Sequence, residues 1–541
     1  MSLISDSLKP KPTISQVLLG IGSDDGREPQ KVVVDLLRAL AYLFKQSSLK
    51  LKIADAFGAE GKEEVSGQIR ALFSRILEQV LAIGDSVQGV KHVSNANSDV
   101  LGALFDTLSL IDFLDTLEVL LERPNNELKR KVLRLLEGRL RQQPERDSAS
   151  QNRMLDFLPT LVNIIQSSQD TLLKHAAVAC VDRITDKYGR KNPSKVIPAA
   201  QVVASEACIG QEDGRIRIMG VLCLASMAEV LGQAMIPALP DTLARSLNLL
   251  EISLNDGEEN SRLHDAVFSL FSALFAHIPY MITASHLDKI LLLSFKSANT
   301  DMGPSSDDGR QEALGLLARK VDASATFAAV DRSWSHAVAA EQDAVMELLE
   351  VVSLAVEKHP KSSTMKNISV LSSILFKAFD LRREQVSLGS HAVFEESELD
   401  EIEEIVNDVA IKMIYKLNDT TFRPIFTKLF EWATTGVPKK DIQGNLSRLT
   451  TFYNFLQVFF GTLQVSFFDS RTAQHCSDQN SPLLRVMPAT SSKTSFRFLE
   501  PQAQPTKLPS SYGYPRCACS ETLSSMIKTV RPIPLSMSQT N

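Results

Sequence analysis

The chain has 541 residues, 44% of them hydrophobic and 23% charged, with a formal net charge of −6 and a pI of about 5.9. That length exceeds what one compact core fills, so several domains or an elongated array is expected. The charge balance excludes an overall basic surface that wraps nucleic acid without reading its sequence, and any RNA contact must be local.

Residues 1–30, with Pro10, Pro12, Gly20, Gly22 and Gly26, read as a loose N-terminal segment with no apolar signal core. Helices are expected at about 31–46 and 65–83, with the GAEGKEE stretch between them as a surface loop, and the SNANSD run at 94–99 as the cap of another helix. From Ile111 to Gln142 comes a first helix–turn–helix repeat. Its second helix, ELKRKVLRLLEGRLRQQ, concentrates Lys129, Arg130, Lys131, Arg134, Arg139 and Arg141.

The stretch Met154–Gly189 is the clearest unit. Leu155, Leu158, Leu161, Val162 and Ile165 fall at three- and four-residue steps, which gives one apolar helix face, and Pro159 should kink that helix. Gln166–Asp170 supplies Ser and Asp caps for a second helix that buries Leu173, Ala176, Ala177, Cys180, Val181 and Ile184. A hairpin with two apolar faces needs a neighbouring hairpin to cover the second, which is the requirement that builds a solenoid.

The neighbours carry the same signature. A turn acid or amide with a basic residue four places later recurs as Asn126/Arg130, Asp170/Lys174, Asp213/Arg217 and Glu258/Arg262, and Arg310 continues the series. The basic positions lie 44, 43, 45 and 48 residues apart. Two helices per period of about 40–47 residues is the HEAT/armadillo range. Each turn acid is expected to cap its own second helix, and each basic residue to pair with an acid of the adjacent turn. The fold class is therefore all-α, a HEAT-repeat solenoid of stacked antiparallel helix pairs, with the array spanning residues 31–394.

Between Ala323 and Ala355 the turn signature fades, and a further pair is expected at 365–383. EESELDEIEE, residues 395–404, packs seven acids into ten positions and should open a helix whose dipole favours them. A C-terminal helical region, 395–463, ends with TTFRPIFTKLFEWATTG, where Thr421 reads as the cap and Pro424 as a first-turn proline. Its aromatic stripe has two readings, core or groove for a partner helix. From 464 to 541 the chain is rich in Pro, Ser, Thr and Gln, with eight of its 23 prolines in the final 60 residues, and reads as a disordered tail.

Catalytic and ligand signatures fail at specific residues. GIGSDDG at 20–26 misplaces the third glycine of a dinucleotide loop, GAEGK at 58–62 is followed by Glu63 where a P-loop needs a hydroxyl, and Cys517-x-Cys519 has no second pair. The expectation is no catalytic residue, no cofactor, no metal and no small-molecule substrate. Cys180, Cys208 and Cys223 inside helices point to a reducing compartment, and Ile218–Leu231 is too short and too interrupted to cross a membrane, so the chain reads as soluble and intracellular. The basic helix at 127–143 is the remaining feature. Lys129, Arg130, Lys131, Arg134 and Arg141 along one edge suit phosphate contacts; the alternative is a solvated face satisfied by Glu127 and Glu137.

FRPIFTKLFEWA at 422–433 followed by LTTFYNFL at 449–456 resembles the C-terminal region of the large nucleolar HEAT-repeat family associated with small nucleolar RNA, a component of the small-subunit processome. The matching positions are Phe422, Arg423, Pro424, Phe426, Lys428, Leu429, Trp432, Ala433, Thr451, Phe452 and Tyr453, with a mainly structural role. The resemblance implies a non-enzymatic scaffold of the nucleus and nucleolus that serves pre-rRNA processing, small-subunit assembly and rRNA transcription. Its implied partners are processome proteins, with pre-rRNA or small nucleolar RNA as RNA candidates and no membrane. The rival is another HEAT adaptor, a transport receptor or phosphatase-type scaffold. The chain departs from the family pattern at Ile442–Asn445 and after Leu456. An altered C-terminus is expected there, lacking the closing helices, with exposed apolar surface from Phe455 to Phe468.

Overall fold

Asp170 shows how each repeat is begun. Its side chain accepts from the Leu173 N–H at 3.0 Å, which satisfies a donor the helix cannot, and the helix that follows runs Thr171–Tyr188. Asn125 and Asp213 do the same for Asn126–Leu140 and Gly214–Leu231. The computed structural model describes residues 27–58, 63–86, 91–105, 107–141, 147–255, 258–300, 303–435 and 442–472. The GIGSDDG loop, most of the GAEGK stretch and the chain beyond 472, including Cys517 and Cys519, lie outside them.

The described residues are helical throughout, with short 3-10 turns between helices. The first helices are α1 (Arg27–Lys45), α2 (Ser47–Gly58), α3 (Glu63–Ser86) and α4 (Lys91–Phe105). SNANSD therefore lies inside α4 and caps nothing, because Val93, Ala96 and Val100 continue the buried stripe through it. Regular pairs then follow: α5 (Leu110–Leu121) with α6 (Asn126–Leu140), α7 (Ser148–Asp156) and α8 (Leu158–Ser167) with α9 (Thr171–Tyr188), α10 (Pro193–Val203) with α11 (Gly214–Leu231), and α12 (Leu239–Ser253) with α13 (Glu258–His277). The array continues through α14 (Ala284–Ala298), α15 (Pro304–Lys320), α16 (Ala323–Ala339), α17 (Glu341–Lys358), α18 (Lys361–Lys366), α19 (Ile368–Leu388) and α20 (Glu396–Tyr415). The acidic run does open α20. The pair expected at 365–383 is instead the short α18 and one long helix, α19.

Pro159 starts a new helix, α8, instead of kinking a continuous one, since a proline costs nothing in a first turn. Gly214–Ser253 is long enough to cross a membrane and contains an 18-residue window of mean hydropathy 1.6, a longer apolar reach than Ile218–Leu231 alone. Gly232, at φ 50°, breaks it into α11, a 3-10 turn and α12, and nearly half of the apolar window is buried against other helices.

Contacts define two compact units, Met1–Met413 and Ile414–Asn541. In the first, second helices stack on second helices in the order α6, α9, α11, α13, α15, α17, and first helices stack behind them. The core is the row of buried Leu, Ile, Val, Ala and Phe between the layers, such as Leu133, Val181, Leu224, Phe271, Leu314 and Leu348. Ala176 is only half-buried; Lys174, unmarked by the apolar pattern, is buried and donates to the Ala207 carbonyl at 3.1 Å.

Ion pairs join consecutive repeats. On the first helices the acid comes from the earlier repeat: Asp115 accepts from Arg153 at 2.9 Å, Asp288 from Arg332 at 2.8 Å and Asp331 from Lys377 at 2.9 Å. On the second helices the order inverts, with Arg130 3.7 Å from Asp170 and Arg310 2.7 Å from Glu347. The expected pairing of turn bases with the adjacent acid thus holds at these two steps; Lys174 and Arg217 instead bond backbone carbonyls.

In the second unit α21 (Asp419–Thr435) packs against α22 (Ile442–Thr472). Asn418, not Thr421, caps α21: its Oδ1 accepts from the Thr421 N–H at 3.0 Å while Thr421 Oγ1 accepts from the Asn418 N–H at 3.1 Å. The helix begins a turn earlier than its apolar stripe, so Pro424 sits inside it. α22 continues past residue 464 to Thr472, since Phe452, Phe455 and Phe459 already anchor it against α21.

Candidate interaction surfaces

α6 forms because Asn125 caps it and Leu128, Val132, Leu133, Leu136 and Leu140 fill one face, which turns its cations outward or sideways. The five residues singled out from the sequence then separate. Arg141 pairs with Glu137 at 2.7 Å, Lys131 lies 4.0 Å from Glu127, and Arg130 lies 3.7 Å from Asp170 of the next repeat. Burial first, and then the neighbouring Arg134, hold the Lys131 ammonium below its ordinary range. Among the described residues no ion pair engages Lys129 or Arg134, and Arg134 is exposed. The helix thus presents two uncommitted cations, with Arg141 exposed but paired, where the linear sequence offers five.

The packing of α9 beside α6 adds cations that composition did not reveal. Cys180 Sγ donates to the Leu133 carbonyl at 3.4 Å, which sets the two helices in parallel register. That register brings the end of α9, with exposed Arg183, Arg190 and Lys191, beside the end of α6. Arg190 approaches Glu229 at 3.9 Å, a separation that contributes little at an exposed site.

The motif residues of the second unit assemble into one hairpin. Phe422 packs on Phe426 at 5.6 Å and on Phe459 at 6.1 Å; Phe426 and Phe430 meet Phe452 at 6.4 and 6.1 Å. Leu429, Ala433 and Thr451 are buried, and the Arg448 guanidinium lies 5.2 Å from the Trp432 ring centre. Arg423, Pro424 and Lys428 are exposed, as is Tyr453. The two motifs are the two sides of a single aromatic seam, so the core reading applies to most of the stripe. Phe455 and Phe459 are buried in that seam, against the expectation of an apolar surface starting at Phe455; Val458 and Phe460 are exposed, and side chains beyond 462 lie outside the described ones.

A cluster that sequence reading missed lies between α13, α14, α15 and α17. His264, wholly buried, meets Ser297 Oγ through Nε2 at 2.6 Å, and Arg310 donates to Ser297 Oγ at 3.2 Å, to Asp307 at 2.8 Å and to Glu347 at 2.7 Å. Burial lowers the His264 imidazole below its ordinary value and raises the Glu347 carboxyl. The only linear trace of this network was Arg310 at its repeat position. Its role is to lock three repeats together.

The model of the BP28CT (NUC211) domain matches residues 363–491. The U3 small nucleolar RNA-associated protein 10 of Aspergillus niger is 75% identical over 464 residues, 86% of this chain and 26% of that protein. The proteins of the same name from Emericella nidulans and Coccidioides immitis are 67% and 54% identical over the same length. The chain spans about a quarter of the length of the curated relatives it matches. Among solved structures, Kap121p aligns over 83% of this chain and 46% of its own at 14% identity and a TM-score of 0.35, which is too distant to carry an argument.

Proposed function

We propose that the chain belongs to the family of U3 small nucleolar RNA-associated protein 10, corresponding to its C-terminal region, and that it is a non-enzymatic scaffold in nucleolar pre-rRNA processing and small ribosomal subunit assembly. The observation that carries the reading is the 75% identity sustained over 464 residues, far beyond what a shared repeat architecture alone requires. Processome proteins are its partners, held on surfaces that the stacked repeats keep in fixed register. Pre-rRNA or small nucleolar RNA is the second class of partner. On α6, Lys129, Arg130, Lys131, Arg134 and Arg141 remain the proposed contact edge, with Lys129 and Arg134 as its uncommitted charges. A role in supporting rRNA transcription belongs to the same proposal. The exposed Arg423 and Lys428 of the α21 motif are further contact candidates, while its buried aromatics serve the fold.

The test is affinity purification of the tagged chain from nucleolar extract, with and without ribonuclease. Recovery of small-subunit processome proteins together with precursor rRNA is the expected result. A folded chain that recovers neither contradicts the proposal, and loss of the proteins on ribonuclease treatment would reassign them to RNA tethering.

A further inference from the structure

The solvent-facing side of the second helices in the first unit carries a charge gradient that the net charge of the chain conceals. Counting only side chains that are not buried, α6 has five basic and two acidic, α9 two and two, and α11 two and one. The balance then turns acidic: on the same count α15 has two basic and three acidic side chains, α17 one and four, and α20 one and six. The first helices share no such trend, since in total α5 holds three acids and no base while α19 holds three bases and two acids. Because the second helices stack on one another from α6 to α17, the gradient runs along one layer of the array. α20 extends that face beside α17, as Gln342 donates to Glu401 at 2.6 Å and Lys412 to Ser353 at 2.8 Å.

Exposed leucines stand on α9 and α11, while α13 and α15 expose charged side chains of both signs, among them Arg262, Asp308 and Glu312. Leu172 on α9 is 48% exposed and Leu222 on α11 is 41% exposed, at positions where α6 and α20 present charge. Ala179, Met219 and Ala225 around them are half-buried. At the basic end Arg134 and Arg183 are exposed; at the acidic end Glu350 and Glu404 are exposed, and none of the four is held in an ion pair among the described residues.

We propose that this face is a docking groove for one extended protein segment of bipolar charge, whose acidic end lies over α6 and α9, whose apolar residues seat on Leu172 and Leu222, and whose basic end lies over α17 and α20. Charge complementarity selects the occupant. An RNA strand suits only the α6–α9 end, because phosphates over α17 and α20 meet like charge, and no exposed aromatic side chain in the middle offers a base a stacking surface. Seven helices at about 8–10 Å spacing make a track of roughly 50–60 Å, the reach of about 15–18 extended residues. The inference rests on the scaffold reading and sharpens it, naming the chemistry of a protein partner.

The experiment titrates the full chain into a fluorescent synthetic peptide of about 18 residues, with Glu at one end, Leu in the middle and Lys at the other. A peptide of identical composition with the charges interleaved is the control. The bipolar peptide is expected to bind at least about tenfold more tightly. Arg134→Glu with Arg183→Glu, or Glu350→Lys with Glu404→Lys, should each weaken it about tenfold, while all four together restore binding with the peptide reversed. Leu222→Asp, at an exposed site that leaves helicity unchanged by circular dichroism, should weaken it as well. Equal binding of both peptides overturns the proposal. So does polyuridylate that binds through Arg134 and Arg183 and displaces the peptide from no variant, or self-association abolished by the same charge changes. Failure here alongside intact recovery of processome proteins would remove the groove and leave the scaffold reading standing.

Discussion

His264 sits with no exposed surface in a network whose members come from three repeats, so its protonation state is part of the fold. Burial, with Arg310 adding to it, lowers its pKa below 6.5, although Asp265 3.7 Å away pulls the other way. A histidine whose folded value is depressed binds its proton more readily once unfolded. Its contribution to stability is therefore complete above pH 6.5 and declines as pH falls from there toward the folded value. Urea denaturation of the chain between pH 7.5 and about 5.5 should show that decline, and His264→Gln should flatten it. Arg310→Ala leaves the Glu347 carboxylate buried without its cation, at a cost of about 3–5 kcal/mol, whereas Arg310→Met with Glu347→Leu should recover most of it. Equal losses in the single and double variants would show that the pair does not act as one unit. Gly220 is a second sensitive point. A Cβ there would stand 2.7 Å from Ile209 Cγ2 and 2.8 Å from Cys208 Sγ, so Gly220→Ala must push α11 off the connector before it and should cost about 1–3 kcal/mol in the same assay.

At the scale of elements the α21–α22 hairpin is the sharpest case. Phe452 touches Phe426 and Phe430 across the seam and Tyr453 beside it, so Phe452→Ala removes a hub and should cost about 3–5 kcal/mol. Asn418→Ala, which removes only the cap, should cost about 1 kcal/mol. Hydrogen exchange of residues 419–435 and 442–462 reads both, with the first variant opening the hairpin and the second fraying the start of α21. Helix existence was legible where a cap and an apolar stripe coincided, as at Asp170 and Asp213, and where first-turn acids preceded one, as at Glu396. Boundaries were not, because short polar residues such as those of SNANSD serve equally well in caps and on solvated helix faces. Thr421 misled for a related reason: its hydroxyl does take part in the cap, but reciprocally with Asn418, and a reciprocal pair looks the same from either end in sequence.

At the scale of the whole molecule the repeat period was legible because every unit must present the same apolar faces to its neighbours. The spacing of Arg130, Lys174, Arg217, Arg262 and Arg310 records that demand directly. The candidate surface was legible only in part. Charges on α6 are plain in the sequence, yet their partners, Asp170 from the next repeat among them, exist only after stacking. The same holds for the gradient from α6 to α20, which cancels in the sum over the chain. A scaffold of the proposed kind acts by holding partners in register, so losing the segment should interrupt assembly. The most direct measurement is complementation: cells depleted of the full-length family protein receive either that protein or a version lacking the segment equivalent to residues 110–462, and precursor and mature small-subunit rRNA are compared. The account predicts that the deleted version accumulates precursor and fails to yield mature small-subunit rRNA although it is expressed and reaches the nucleolus. Normal processing by the deleted version would contradict it.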